Sequence, residues 1–323
     1  MKALAAFLMI AAAMGACAQT DAPTTPLATQ LSEMLHRESD GHSPTPDEIE
    51  TVEALPGLTD AVVAKDLLPL LTKALADPDA HLRAYTLAML VGMQSLPDAP
   101  VPAPPASLAD GALAPAKPQN PVTNAPTGPG AYKSAVASAL LPLVPAIGAR
   151  LTDDAPDNRT LAATVLEGFA PNPPAAVYAP LFDFLKRDDA AGPVGVAVVS
   201  ALLQFGQPGA DTAAAIAGYL VRGDLPADTK ASLVEAIAAK PNQSQTVNKV
   251  LLGYLDADDA GLRSRLILSL PALDLSADAF AAAKARVAEI VASGQDTLPV
   301  VNAAKAVSPC WTQVKMTTGC PVY

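Results

Sequence analysis

The strongest constraint on this chain is a spacing. An apolar residue closes a helical stripe just ahead of an acidic or glycine-containing turn at Leu75, Leu151, Leu185, Leu220, Leu255 and Ile290, and the last five stand 34, 35, 35 and 35 residues apart. The turns read ADPDA, TDDAPD, KRDDAAGP, VRGDLP, DADDAG and VASGQD, and further apolar-periodic runs follow them, such as NRTLAATVLEGF and DTKASLVEAIAA. Two helices of about three turns each and two short loops fill a unit of that length. One such unit cannot cover its own apolar face, so units of this kind are stable only when stacked. The spacing therefore predicts an all-α fold, an α-solenoid of about six helix-pair repeats of roughly 35 residues. Composition points the same way: 50 % of residues are hydrophobic but only 4 % aromatic, with Ala and Leu abundant, which suits close helix packing better than sheets.

The turns have a readable chemistry. Asp77 before Pro78 predicts a helix start, with the carboxylate capping free N–H groups and proline in the first helical position. Pro156 and Pro226 follow acidic turn residues in the same way. Asp79, Asp154, Asp189, Asp224 and Asp259 fall in the turns, where a negative charge opposes the positive end of the second helix. Arg83, Arg159, Lys230 and Arg263 recur a few residues into the second helices, where they are expected to pair with turn carboxylates as inter-repeat ion pairs. Val194 and Gly195 stand where the third unit would carry its basic residue.

Moving residues 67–90, LLPLLTKALADPDAHLRAYTLAML, by 180 places lays Leu71 on Leu251, Leu75 on Leu255, Asp79 on Asp259, Leu82-Arg83 on Leu262-Arg263 and Leu90 on Leu270. An apolar helix, an Asp-containing turn and Leu-Arg opening a second apolar helix resemble HEAT repeats, in particular the short bacterial HEAT-like kind. The resemblance covers about 66–93 and 131–307. It implies a right-handed superhelix whose second helices line the concave face, and a style of binding in which a long helical surface recognises another protein. The tetratricopeptide pattern has a similar period, but its Trp-Leu-Gly-Tyr landmarks are missing.

The ends and one interruption are expected to differ from the repeats. MKALAAFLMIAAAMGACAQT carries Lys2, an apolar core over Ala3–Met14 and then small residues, the pattern of an export signal over 1–18, too short to remain as a membrane span. Ala16-Cys17-Ala18 suits ordinary cleavage after Ala18, whereas Met14-Gly15-Ala16-Cys17 resembles a lipobox, with cleavage before an acylated Cys17. Under the lipoprotein resemblance, Gln19 in the second mature position implies the outer membrane, and 19–65 supplies a tether and N-terminal helices, with Thr45-Pro46-Asp47-Glu48 a good helix start. Setting Cys17 aside leaves Cys310 and Cys320 as an even pair in the tail 308–323. A disulfide between them would close an 11-residue ring, worth about 2–3 kcal/mol in the loop-entropy picture. Residues 66–95 form the first repeat and 131–307 the others. Between them 96–130 holds ten prolines, so it cannot continue a helix and either interrupts a repeat or links the first to the rest.

The chain offers little catalytic signal. A net charge of −11 with no basic run opposes nucleic acid and anionic lipid headgroups. His36, His42 and His81 are too scattered for a triad or metal cluster, and HExxH and GxSxG are absent. TGPGAYKSA at 127–135 lacks the glycine that a phosphate loop places before its lysine. DADDAGLRSRLI at 256–267 starts like a calcium loop, but Ala260 and Ile267 occupy ligand positions. No cofactor, metal or small-molecule substrate is indicated. The expected partner is another protein in the cell envelope. An enzyme with its site in 96–130 or the N-terminal region, and a self-associating envelope protein, are the competing classes.

Overall fold

The structure, a computed structural model, describes residues 26–39, 61–95, 137–171, 173–206, 209–240 and 244–309. The expected lipidation site Cys17, the expected disulfide partners Cys310 and Cys320, His42, the Thr45 helix start and the 96–130 stretch lie outside them. Among the described residues all regular structure is helical. After α1 (Pro26–Ser39), six helix pairs follow: α2 (Ala61–Leu75) with α3 (Ala80–Ser95), α4 (Val144–Ala149) with α5 (Pro156–Glu167), and α6 (Ala175–Leu185) with α7 (Pro193–Gln204). The last three are α8 (Ala210–Leu220) with α9 (Ala227–Ala238), α10 (Gln245–Leu252) with α11 (Ala260–Ser269), and α12 (Ala277–Ser293) with α13 (Leu298–Val307).

The first helices form one row and the second helices another. α3, α5, α7, α9, α11 and α13 pack each on the next, and α2, α4, α6, α8 and α10 do so more sparsely, except where α8 meets α10. Closer packing along the second row is what a stack curved toward that row produces. The six periodic anchors all lie in the shared core: Leu75, Leu151, Leu185, Leu220, Leu255 and Ile290 are 5 % exposed or less. Each such side chain contributes about 1.5–3 kcal/mol by leaving water.

Local sequence explains the irregular units. The first helix of the second repeat is split into a 3-10 turn at Leu141–Leu143, α4, and a second 3-10 turn at Arg150–Thr152. Pro142 and Pro145 each lack the N–H of a continuing helix, and each sits where a helical segment begins. The first repeat starts at Ala61 rather than at 66. α3 begins at Ala80, two residues later than the Asp77-Pro78 signal predicts. Asp79 precedes its first residue and accepts the His81 amide at 2.9 Å, while Asp77 accepts the Asp79 amide at 2.9 Å. At α9 the proline likewise precedes the helix: Pro226 is the capping residue and Ala227 opens it. Asp259 is the N-cap of α11, accepting the Leu262 amide at 2.7 Å.

α1 packs across both α2 and α3 and inserts Leu31, Met34 and Leu35 into their core, covering the first repeat as the end of a stack requires. Glu38 of α1 is buried against His81, with Oε1 2.5 Å from Nε2, while the His81 side chain is 61 % exposed. His36 lies exposed in the last turn of α1.

The repeats on the two sides of the proline-rich stretch lie against one another. α3 packs directly on α5 and α2 on α4, so the first and second repeats are ordinary neighbours in the stack. Replacing residues 97–130 by a short Gly/Ser link is therefore expected to keep the helical circular dichroism and to move the urea midpoint little, since loop-closure entropy changes only slowly with length. Loss of cooperative unfolding in that variant would show that the stretch supplies core contacts.

Candidate functional site

The polar residues singled out in the sequence gather along one edge, where the turns inside each repeat stack on one another. At the first junction Arg83 of α3 grips Asp153 of the second repeat with Nε–Oδ2 at 2.6 Å and Nη2–Oδ1 at 2.7 Å. Its Nη1 donates to the carbonyls of Asp77 and Pro78, each at 2.8 Å. Asp153 also accepts from Arg150 at 3.2 Å, the Ala155 amide at 3.0 Å and Asn158 at 3.2 Å, and Asn158 reaches back to the Ala80 carbonyl at 3.0 Å. Burial pushes the Asp153 carboxyl up, but the Arg83 guanidinium and the Ala155 amide outweigh it and hold the group down at about 2. The expected ladder acid here was Asp154; that side chain is exposed, and its neighbour Asp153 takes the role. α5 starts at Pro156, three residues after the buried aspartate and two after the exposed one.

The other junctions vary the theme. Arg159 donates to the Asp153 carbonyl of its own turn and reaches Asp189 of the third repeat at 3.6 Å, while Arg187 holds the same carboxylate at 2.8 and 3.2 Å. Those hydrogen bonds, chiefly from Arg187, keep Asp189 below the usual carboxylate range. Arg263 donates to the Ala257 carbonyl and pairs with Asp296 of the last repeat at 2.5 Å. Lys230 makes a different contact from the one expected: its ammonium lies 5.8 Å from the centre of the Tyr254 ring in the fifth repeat, and Asp224 is held by Arg222. Tyr254 donates its hydroxyl to the Leu220 carbonyl at 2.6 Å, and burial pushes its phenol up to about 12.

The third repeat, with no basic residue in its second helix at this position, is served from the fourth. Tyr219 donates to the Ala190 carbonyl at 2.6 Å. Arg222 spreads over three turn carbonyls, those of Leu185 at 3.0 Å, Arg187 at 2.6 Å and Asp188 at 3.3 Å. Gly195 makes room for this: a Cβ there would sit 1.9 Å from the Tyr219 hydroxyl and 2.4 Å from the Ala190 carbonyl oxygen. Sequence reasoning missed Tyr219 and Arg222 because their acceptors are main-chain atoms, which leave no mark in the sequence. The one available signal is the Val194-Gly195 gap in the basic series together with a Tyr-Leu pair repeated 35 residues apart at 219 and 254.

Between α6 and α8, beside these contacts, runs an open groove of about 780 Å³. Its walls are mainly apolar, from Phe182, Leu185, Ala214, Ala215 and Gly218, and the turn end carries Lys186, Asp188, Arg222 and Asp224. A Cβ at Gly218 would meet nothing within 4 Å, so the small α8 face creates the open space. Among the described residues no group of three or more His, Cys, Asp or Glu could hold a metal ion. Among them, too, no helix is long and apolar enough to cross a membrane.

Six stacked helix pairs sharing one core, with a polar ladder along the turn edge, define an α-solenoid. No family model matches the chain, and no curated protein matches it. Three engineered proteins with crystal structures from the Northeast Structural Genomics Consortium align with it. The first is 16 % identical over 87 % of this chain and 72 % of its own, with a TM-score of 0.40. The second is 15 % identical over 88 % and 98 %, at 0.30, and the third 14 % over 85 % and 96 %, at 0.29. The all-α assignment stands on this chain's own helices.

Proposed function

We propose that this protein is an exported scaffold of HEAT-like repeats, anchored by a lipid at Cys17, that binds another protein in the bacterial cell envelope. The signal-like N-terminus supports export, and a Cys310–Cys320 disulfide suits the oxidising compartment that export leads to. The observation that carries the binding role is the groove between α6 and α8. It is a largely apolar trough on a stacked helical surface, bordered at one end by charges of both signs, and a partner's anchoring side chains gain most of their binding energy where they displace water from apolar surface.

Crosslinking in the native envelope, followed by affinity isolation, tests this reading. One dominant co-purifying protein is expected with the wild type, at least tenfold depleted with Gly218→Trp, which fills the trough from an exposed position. Recovery of the protein alone from both would sink it. An intact mass of the native product, beside that of Cys17→Ser, reads the lipid directly.

A further inference from the structure

We infer that the junction between the third and fourth repeats is a hinge, and that the groove between α6 and α8 widens and narrows as it moves. This inference is independent of what the groove binds. Neighbouring repeats elsewhere are tied by charged side-chain pairs: Arg83 on Asp153, by two parallel bonds, and Arg159 on Asp189, Arg265 on Glu235 and Arg263 on Asp296 by single contacts. Among the described residues no such pair spans the third junction. The hydrogen bonds that do span it run from Tyr219 and Arg222 to main-chain carbonyls of the third repeat.

That difference sets how far each junction can move. A guanidinium locked on one carboxylate by two parallel bonds loses both when it rotates. Arg222 is held by two bonds on Asp224 of its own repeat and meets the third repeat only through three neighbouring carbonyls; a carbonyl accepts over a broad angular range, so the clamped guanidinium can pass from one carbonyl to the next as the repeats move. Tyr219, in the notch left by Gly195, is a single-bond pivot on the second-helix side. α7 and α9 also pack less extensively on one another than any other neighbouring second helices. On the first-helix side Ala214, Ala215 and Gly218 of α8 set no bulky side chain against Phe182 and Leu185 of α6, so the groove between them has room to narrow. Hinges that absorb domain closure have this character: a few element-terminal residues move between two packed bodies.

Pulsed electron–electron spin resonance on the full chain tests the inference, with labels attached through a non-cysteine handle so that the native cysteines stay untouched. Three pairs on first helices, each two repeats apart, are compared: Thr72 with Ala179, Ala179 with Lys249, and Asp211 with Ala285. Only the middle pair spans the third junction, and its distance distribution is expected to be at least twice as wide as the other two. Equal widths would overturn the hinge. Gly218→Leu, which fills the groove, is expected to narrow the middle distribution alone; an unchanged width there would overturn the link between groove and hinge.

Discussion

Asp153→Ala is expected to lower the free energy of unfolding by about 3 kcal/mol or more, the range for removing one member of a buried pair, measured as the shift in a urea transition. The side chain of Asp153 is wholly buried and that of Arg83 is 7 % exposed, so deleting the carboxylate strands a guanidinium where water cannot replace the lost partner. Asp154→Ala, one residue away and exposed, is expected to change stability by less than about 0.5 kcal/mol. The effect has a pH signature. The folded carboxyl is held at about 2, below its ordinary 3.8, so its contribution is complete above about pH 5 and is lost as pH falls from about 4 towards 2. The stability difference between wild type and Asp153→Asn should be flat near neutrality and shrink over that acid window. A difference that persisted unchanged to pH 2 would show that packing, not charge, sets it.

Gly195→Ala is expected to cost about 2–4 kcal/mol, a large loss for one added methyl group, because overpacking and a broken buried hydrogen bond act together. The new Cβ collides with both ends of one bond, the Tyr219 hydroxyl and the Ala190 carbonyl oxygen. Removing the hydroxyl relieves the closest collision and leaves those with the Ala190 carbonyl oxygen and the ring carbon that carried the hydroxyl, so Gly195→Ala combined with Tyr219→Phe should recover part of the loss and not all of it. The double-mutant cycle on urea midpoints checks this. Strict additivity of the two single changes would show that Gly195 and Tyr219 do not share a site.

The repeat was legible because burial is periodic. A Leu that must be covered every 35 residues, from Leu185 to Leu255, appears in any sequence that builds this stack. Asp79 and Asp259 were legible as turn acids for a similar reason, since a helix start leaves N–H groups that a carboxylate can satisfy. The choice between Asp153 and Asp154 was not, because adjacent identical residues differ only in the direction the chain takes into α5. Lys230 was misassigned to a carboxylate because an aromatic face also attracts a cation, and Tyr254 lies in the next repeat. Arg222 closes a first helix rather than opening a second, outside the series that made its counterparts visible. The groove was illegible because it consists of what Ala214, Ala215 and Gly218 lack.

A bond that ends on a main-chain carbonyl makes no demand on the identity of the residue that supplies it. Tyr254 needs the Leu220 carbonyl and Arg222 those of Leu185, Arg187 and Asp188, and any residue but a conformational misfit would present the same oxygen. A repeat tied to its neighbour in this way can drift in sequence without a matching change next door, whereas Arg83 and Asp153 must change together or not at all. The chain therefore combines junctions whose ion pairs constrain both sides with one, between the third and fourth repeats, whose hydrogen bonds constrain only the donor. Units duplicated from a common ancestor would, on such a scaffold, lose their likeness fastest at the third junction, where Val194 and Gly195 already stand in place of the basic residue that other units carry.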